Sequence, residues 1–209
     1  MPLYISDYTD EKGGWAVWKV TETEEELRIL LPLSGIYLSE LAQFKAAPKR
    51  MKERLAVRVL MYTLWKQEYE VEYDETGKPS LKGHPFEISI SHTLNYVAVC
   101  WHPSSKTAID IERLTPKALK LRSRFVRTDE RAEGDELNAA VFFWSAKETL
   151  YKVLSVQNGV DFIADLYIAP LVLAKKGNMY GTDLRNPEEE YLMHYLFTED
   201  FVLTWYCPS

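Results

Sequence analysis

"AIDIE", residues 108–112, alternates small or branched apolar side chains with two carboxylates, and its reading decides the fold. Alternation at period two marks a strand with one face turned to a core. Asp110 and Glu112 then share one face, with Cβ atoms about 7 Å apart, while Ile109 and Ile111 take the other. Further along, "WSAKETLYK", residues 144–152, reads as part of a helix from roughly Asp135 to Leu154. Val141, Trp144, Ser145, Glu148 and Lys152 fall on one stripe, and Phe142, Phe143, Ala146, Leu150 and Val153 fill the rest.

A helix this apolar all round is expected to be largely buried, so Glu148 needs a counter-charge. Lys152, four residues on, supplies a few tenths of a kcal/mol as a helical pair. That falls short of the several kcal/mol needed to desolvate a buried ion. A divalent cation shared by Asp110, Glu112 and Glu148 answers the shortfall better, provided strand and helix meet in space.

Working outward, "PKRMKERLAVRVLMYTLWK" (48–66) is a second long helix, opened by a proline and carrying Met51, Leu55, Val59 and Tyr62 on one face. Arg50, Arg54 and Arg58 step by four beside them as a basic stripe. "GGWAVWKV" and "LRILLPL" read as early strands. "EISISHTLNYVAVCW" reads as two strands turning near Asn95, and "DFIADLYIAPLVLA" and "YLMHYLFTEDFVLTWYC" as late strands. The expectation is an α+β protein of two similar halves, residues 1–104 and 105–209, each with antiparallel strands and one long helix, packed as one unit.

Composition bounds the function. Apolar residues at 46% and charged residues at 27% suit a soluble globular chain, and 13 tyrosines with 6 tryptophans supply large rings for its interior. A net charge of −6 argues against general nucleic-acid binding. Two cysteines, Cys100 and Cys207, stand in no metal or redox spacing and fit a reducing compartment. No apolar run approaches the length of a membrane span, and the start lacks a signal pattern, so a cytoplasmic protein is expected.

"SISHT" places Ser91 and His92 at a strand end, where hydroxyl and imidazole suit a phosphate. "TGKP" offers Lys78 and Pro79 in a turn. Each of these is weak alone.

Taken in order, "GKP", "SISH", "IDIE" and "WSAKETLYK" resemble the 4′-phosphopantetheinyl transferase superfamily, in its larger, pseudo-dimeric single-chain type. The similarity covers roughly residues 48–165, with Asp110 and Glu148 separated by 38 positions. Ala108 stands where the family usually has glycine. The resemblance implies transfer of the phosphopantetheine arm of coenzyme A to a serine of an apo acyl or peptidyl carrier protein, releasing adenosine 3′,5′-bisphosphate. It implies Mg²⁺ (or Mn²⁺) on Asp110, Glu112 and Glu148. Glu148, or a metal-bound water that it orients, would serve as base and Lys152 as a charge balance for phosphate. Lys78, Pro79, Ser91 and His92 match positions that contact coenzyme A, and Arg50 is the candidate for its 3′-phosphate, with Arg54 and Arg58 competing.

Between Arg113 and Arg127 lie Lys117, Lys120, Arg122 and Arg124 and no acid, a segment suited to steering an acidic carrier protein. Two rival readings are a metal-dependent phosphodiesterase or nuclease and a non-catalytic homologue that binds carrier protein or coenzyme A. Two fused halves suggest a monomer.

Overall fold

Two 18-residue helices organise the chain, and both begin and end where local chemistry directs. The computed structural model describes residues 3–9, 12–32, 35–43, 47–154 and 157–208. These fall into two compact units, residues 1–106 with 208–209, and residues 107–207. The protein is mixed α+β, and its two large sheets are antiparallel throughout. Among the described residues no helix is long and apolar enough to cross a membrane.

The first unit opens with β1 (Leu3–Tyr8) and β2 (Gly14–Lys19), followed by helices α1 (Glu24–Ile29), α2 (Ile36–Gln43) and α3 (Pro48–Trp65). Then come β3 (Val71–Tyr73), β4 (Pro79–Leu81), β5 (Glu87–Thr93) and β6 (Tyr96–His102). Pro48 opens α3, where its missing N–H costs nothing, and Lys66 closes it in the left-handed region at φ 55°. Leu55 and Val59 are buried on the expected face, with Met51 and Tyr62 packed at its margin.

The segment "LRILLPL" is not a strand. Thr23 and Glu26 form a reciprocal cap, Thr23 Oγ1 accepting from Glu26 N at 3.2 Å and Glu26 Oε2 from Thr23 N at 2.7 Å, which commits residues 24–29 to α1. Leu27 turns into the core and Ile29 outward. Leu33 lies outside the described residues.

The second unit begins with β7 (Ala108–Arg113), α4 (Pro116–Leu121) and a 3₁₀ turn (Arg122–Arg124). It continues through β8 (Ala132–Glu133), α5 (Glu136–Val153), β9 (Leu166–Ile168), β10 (Leu171–Val172), β11 (Lys176–Asp183), β12 (Glu190–Phe197) and β13 (Phe201–Tyr206). Asp135 caps α5 by accepting from Asn138 N at 2.9 Å. Phe142, Phe143, Ala146, Leu150 and Val153 are buried against the sheet. At Gly181 on β11 a Cβ would stand 2.6 Å from Met193 Cε and 3.2 Å from Leu150, so the bare glycine lets the helix settle onto the strands.

The strand orders of the two units agree. In the second, β7 pairs with β13, and the sheet returns through β12 and β11 to β9. In the first, leaving aside edge strand β1, β2 pairs with β6 and the sheet returns through β5 and β4 to β3. Each sheet thus begins with a strand that precedes the long helix and pairs with the last strand of its unit.

Candidate functional site: an acidic cluster on a strand and a helix

Pairing of β7 with β13 sets Asp110 opposite Thr204 and Glu112 opposite Val202. Thr204 shows which face of this sheet the helix covers. Its hydroxyl lies 2.8 Å from Ser145 Oγ and 2.6 Å from Thr149 Oγ1, a buried polar seam between α5 and the sheet. Asp110, on the neighbouring strand at the same level, is therefore carried toward α5 and is only 3% exposed. Lys152 meets it there, its ammonium donating to Asp110 Oδ1 at 2.8 Å and to Ile109 O at 2.9 Å. The helical lysine thus pairs across to the strand, where spacing alone suggested Glu148.

Glu112 stands two residues along the same face, half-buried, and accepts from Trp144 Nε1 at 2.9 Å. Glu148 lies on α5 midway between Trp144 and Lys152. Burial pushes Glu148 up to about 7, the charge of Asp110 adds to the rise, and Lys152 opposes it. Burial also lifts Glu112 to about 7, aided by Asp110 and Glu148 and opposed by the Trp144 hydrogen bond and Lys152. The acids from "IDIE" and "WSAKETLYK" therefore sense one another, with one ammonium among three carboxylates.

Among the described residues no three His, Cys, Asp or Glu side chains stand as a ready-made metal-ligand group. The cluster is coupled through charge while Asp110 Oδ1 is held by Lys152 and Glu112 Oε1 by Trp144. Its chemistry nonetheless fits a hard divalent cation: three carboxylates supply oxygen donors against a single ammonium, and two of them are pushed up by burial and by the charge of Asp110. The backbone at Ala108 does not call for glycine. It is buried in regular pairing with Tyr206 and is not among the positive-φ residues of the described chain.

Beside Trp144 and Glu112 a cavity of about 380 Å³ opens between α4 and α5. Leu121, Phe125 and Val141 give it apolar walls, and Arg113, Lys117 and Arg124 stand at its exposed margin. Among the described residues none of these three cations is in an ion pair. The basic segment is not uniform, because Arg127 is engaged in local pairing. Its guanidinium pairs with Asp129 at 2.9 Å and donates to Ile163 O at 2.7 Å. Lys120 and Arg122 lie outside the cavity lining.

The first unit holds a second, more polar cavity of about 320 Å³, lined by Arg50, Glu53, Arg54, Tyr73, Pro79 and His92 among others. The Arg54 guanidinium lies 4.9 Å above the Tyr73 ring, and His92 Nδ1 is 3.7 Å from Glu53. Arg58 belongs elsewhere. It is fully buried and fixed to Glu40 by two hydrogen bonds of 2.5 and 3.2 Å, so the basic stripe ends inside the core. Lys78 is paired with Glu87 at 3.3 Å and does not line this cavity, although Gly77 and Pro79 on either side do.

Ser91 and His92 are not brought together. β5 continues through Thr93, and the turn falls at Leu94, φ 43°. Consecutive strand residues face opposite ways, so His92 enters the cavity with Ile90 while buried Ser91 faces the other side of the sheet. Sequence reasoning also missed the ion pair of Lys147 with Glu130, 3.0 Å apart and both wholly buried. Its only signal was a lysine inside the apolar run of α5.

Scanned against protein-family models and the curated proteins, the chain matches no family model and no curated sequence.

Proposed function

We propose that this protein transfers the 4′-phosphopantetheine arm of coenzyme A to a serine hydroxyl of an apo carrier protein. The observation that carries this reading is the meeting of Asp110, Glu112, Glu148 and Lys152 from two segments remote in sequence. The shared strand order of the two units also supports it, as the architecture of two related halves that the resemblance implies.

Asp110, Glu112 and Glu148 would hold Mg²⁺, with Mn²⁺ meeting the same ligand preference. The bound cation supplies neutralisation of charge on the pyrophosphate oxygens. The remaining chemistry belongs to the protein. Glu148, on the buried face of α5 beside Asp110, would take the serine proton, directly or through a water that it orients. The serine oxygen bonds to the phosphorus that carries the pantetheine arm. The anhydride bond to the adenosine bisphosphate breaks, and the leaving oxygen departs with its electron pair. Lys152, anchored on Asp110 Oδ1 and Ile109 O, has a further donor for a phosphate oxygen.

Arg50, Arg54 and His92 are assigned to coenzyme A phosphates, with Pro79 shaping the wall of that cavity. Lys78 would reach a phosphate by leaving Glu87. Ser91, also implied by the resemblance, faces away from the cavity and would contact coenzyme A only from that side. The carrier protein is assigned to the α4–α5 cavity, with an apolar side chain seated against Leu121 and Phe125 and its acids meeting Arg113, Lys117 and Arg124.

Incubation with coenzyme A, Mg²⁺ and an apo carrier protein tests the reading by mass spectrometry. A gain of one phosphopantetheine group on the carrier supports it. Hydrolysis of nucleic acid or of a phosphodiester without that gain would favour the nuclease reading, and binding of coenzyme A without turnover the non-catalytic one.

A further inference from the structure

Trp144 has its indole fixed by neighbours on two sides. Phe125 meets it edge-on with centroids 5.1 Å apart, and Phe162 lies tilted at 5.7 Å. Phe162 is anchored in turn by buried charge, because the Lys147 ammonium donates to its carbonyl at 2.7 Å and to Leu166 O at 2.9 Å. Glu130, 3.0 Å away, holds that ammonium in place. From this seat the indole N–H meets Glu112 Oε1 at 2.9 Å. Glutamate has three side-chain torsions to order, and half-exposed Glu112 would otherwise sample several rotamers. An indole N–H is a single donor of fixed direction, so a ring that cannot turn gives the carboxylate one orientation.

We propose that Trp144 is a positioning residue that restricts Glu112 on the face it shares with Asp110, so that less ordering is left when Glu112 joins Asp110 and Glu148 on a divalent cation. The assignment rests on the metal reading given above. Hydrogen-bond partners behind metal-binding carboxylates are typically worth about 10–100-fold in affinity, because they remove the need to order the ligand at the moment of binding.

Trp144→Phe keeps an aromatic ring against Phe125 and Phe162 and deletes the donor. Mg²⁺ titrated calorimetrically into the full chain is expected to bind the variant about tenfold more weakly than wild type, with little change in the unfolding midpoint without metal. A merely structural tryptophan would lower the midpoint and leave Mg²⁺ affinity alone. In a Glu112→Ala background, adding Trp144→Phe is expected to change Mg²⁺ affinity no further. A second readout needs no metal: the Trp144 indole N–H resonance of ¹⁵N-labelled protein is expected to move upfield in Glu112→Ala.

Wild-type Mg²⁺ affinity in Trp144→Phe, an equal loss with and without Glu112, or an indole resonance indifferent to Glu112→Ala would each overturn the proposal. A resonance that responds to Glu112→Ala in a protein that takes up no Mg²⁺ marks the other failure. There the metal reading falls and the positioning role falls with it, leaving a structural hydrogen bond.

Discussion

Lys147→Met removes the ammonium at the centre of the second unit and leaves Glu130 as a buried carboxylate. Glu130 would keep its backbone donors, Arg127 N at 2.7 Å and Ile168 N at 2.8 Å, but would lose its counter-charge. The carbonyls of Phe162 and Leu166 would lose their donor as well. Burial already pushes Glu130 up and Lys147 down, each toward its neutral form, so the pair is held together against a desolvation cost. Breaking one side of such a pair costs about 3–5 kcal/mol. For a chain of this size that lowers the unfolding midpoint by about 10–15 °C. Calorimetry and urea unfolding of Lys147→Met measure it. The double variant Glu130→Gln/Lys147→Met removes the buried charge and keeps an acceptor for one of the two backbone donors, while its amide NH₂ faces the other. It is expected to recover part of the loss. A single-variant loss below about 1 kcal/mol, or a double variant no more stable than the single, would refute this account of the pair.

Asp110→Ala and Glu148→Ala are each expected to abolish carrier modification while leaving the far-ultraviolet circular dichroism unchanged. Either variant turning over near the wild-type rate removes the metal assignment. Arg50→Ala is expected to raise the coenzyme A KM about tenfold, in keeping with one lost charge-assisted contact, without altering stability. Arg58→Ala, which strips Glu40 of its buried partner, is expected to lower the unfolding midpoint instead. Glu112 and Glu148 bind protons up to about pH 7 when folded but only to the ordinary glutamate range when unfolded. Their contribution to stability is therefore full at low pH and is lost as pH rises from about 4.5 toward 7. Unfolding midpoints in chelator are expected to show this decline, weakened by Glu148→Gln; an identical profile in the variant would contradict it. Ala118→Trp fills the α4–α5 cavity and is expected to raise the carrier KM at least several-fold, leaving that for coenzyme A in place, and steady-state kinetics with each substrate varied checks both.

Sequence exposed those elements whose chemistry is local. β7 was readable because Asp110 and Glu112 alternate with Ile109 and Ile111, and α5 because its polar stripe and apolar circumference recur at helical spacing. The short run "LRILLPL" fits strand or helix equally by periodicity, and the deciding signal was the Thr23–Glu26 cap just upstream. Ser91 and His92 were grouped because they adjoin in sequence, yet alternation along β5 separates neighbours onto opposite faces. The Arg58–Glu40 and Lys147–Glu130 pairs were invisible for a different reason. Each joins residues 17 or 18 positions apart, Arg58 on α3 to Glu40 on α2 and Lys147 on α5 to Glu130 in the loop before β8, and only tertiary packing brings them together. The same holds for Trp144 and Glu112, which the stripe on α5 left unconnected.

At the centre of the account stands one claim, that the acids of β7 and α5 gather a magnesium ion at which a phosphoanhydride is broken. Equilibrium titration of the purified chain with Mg²⁺, following the backbone and side-chain resonances of Asp110, Glu112 and Glu148, tests it without any choice of carrier protein. Saturable shifts at all three residues, lost in Asp110→Ala, are the predicted result. Resonances that stay fixed at high Mg²⁺ would contradict it.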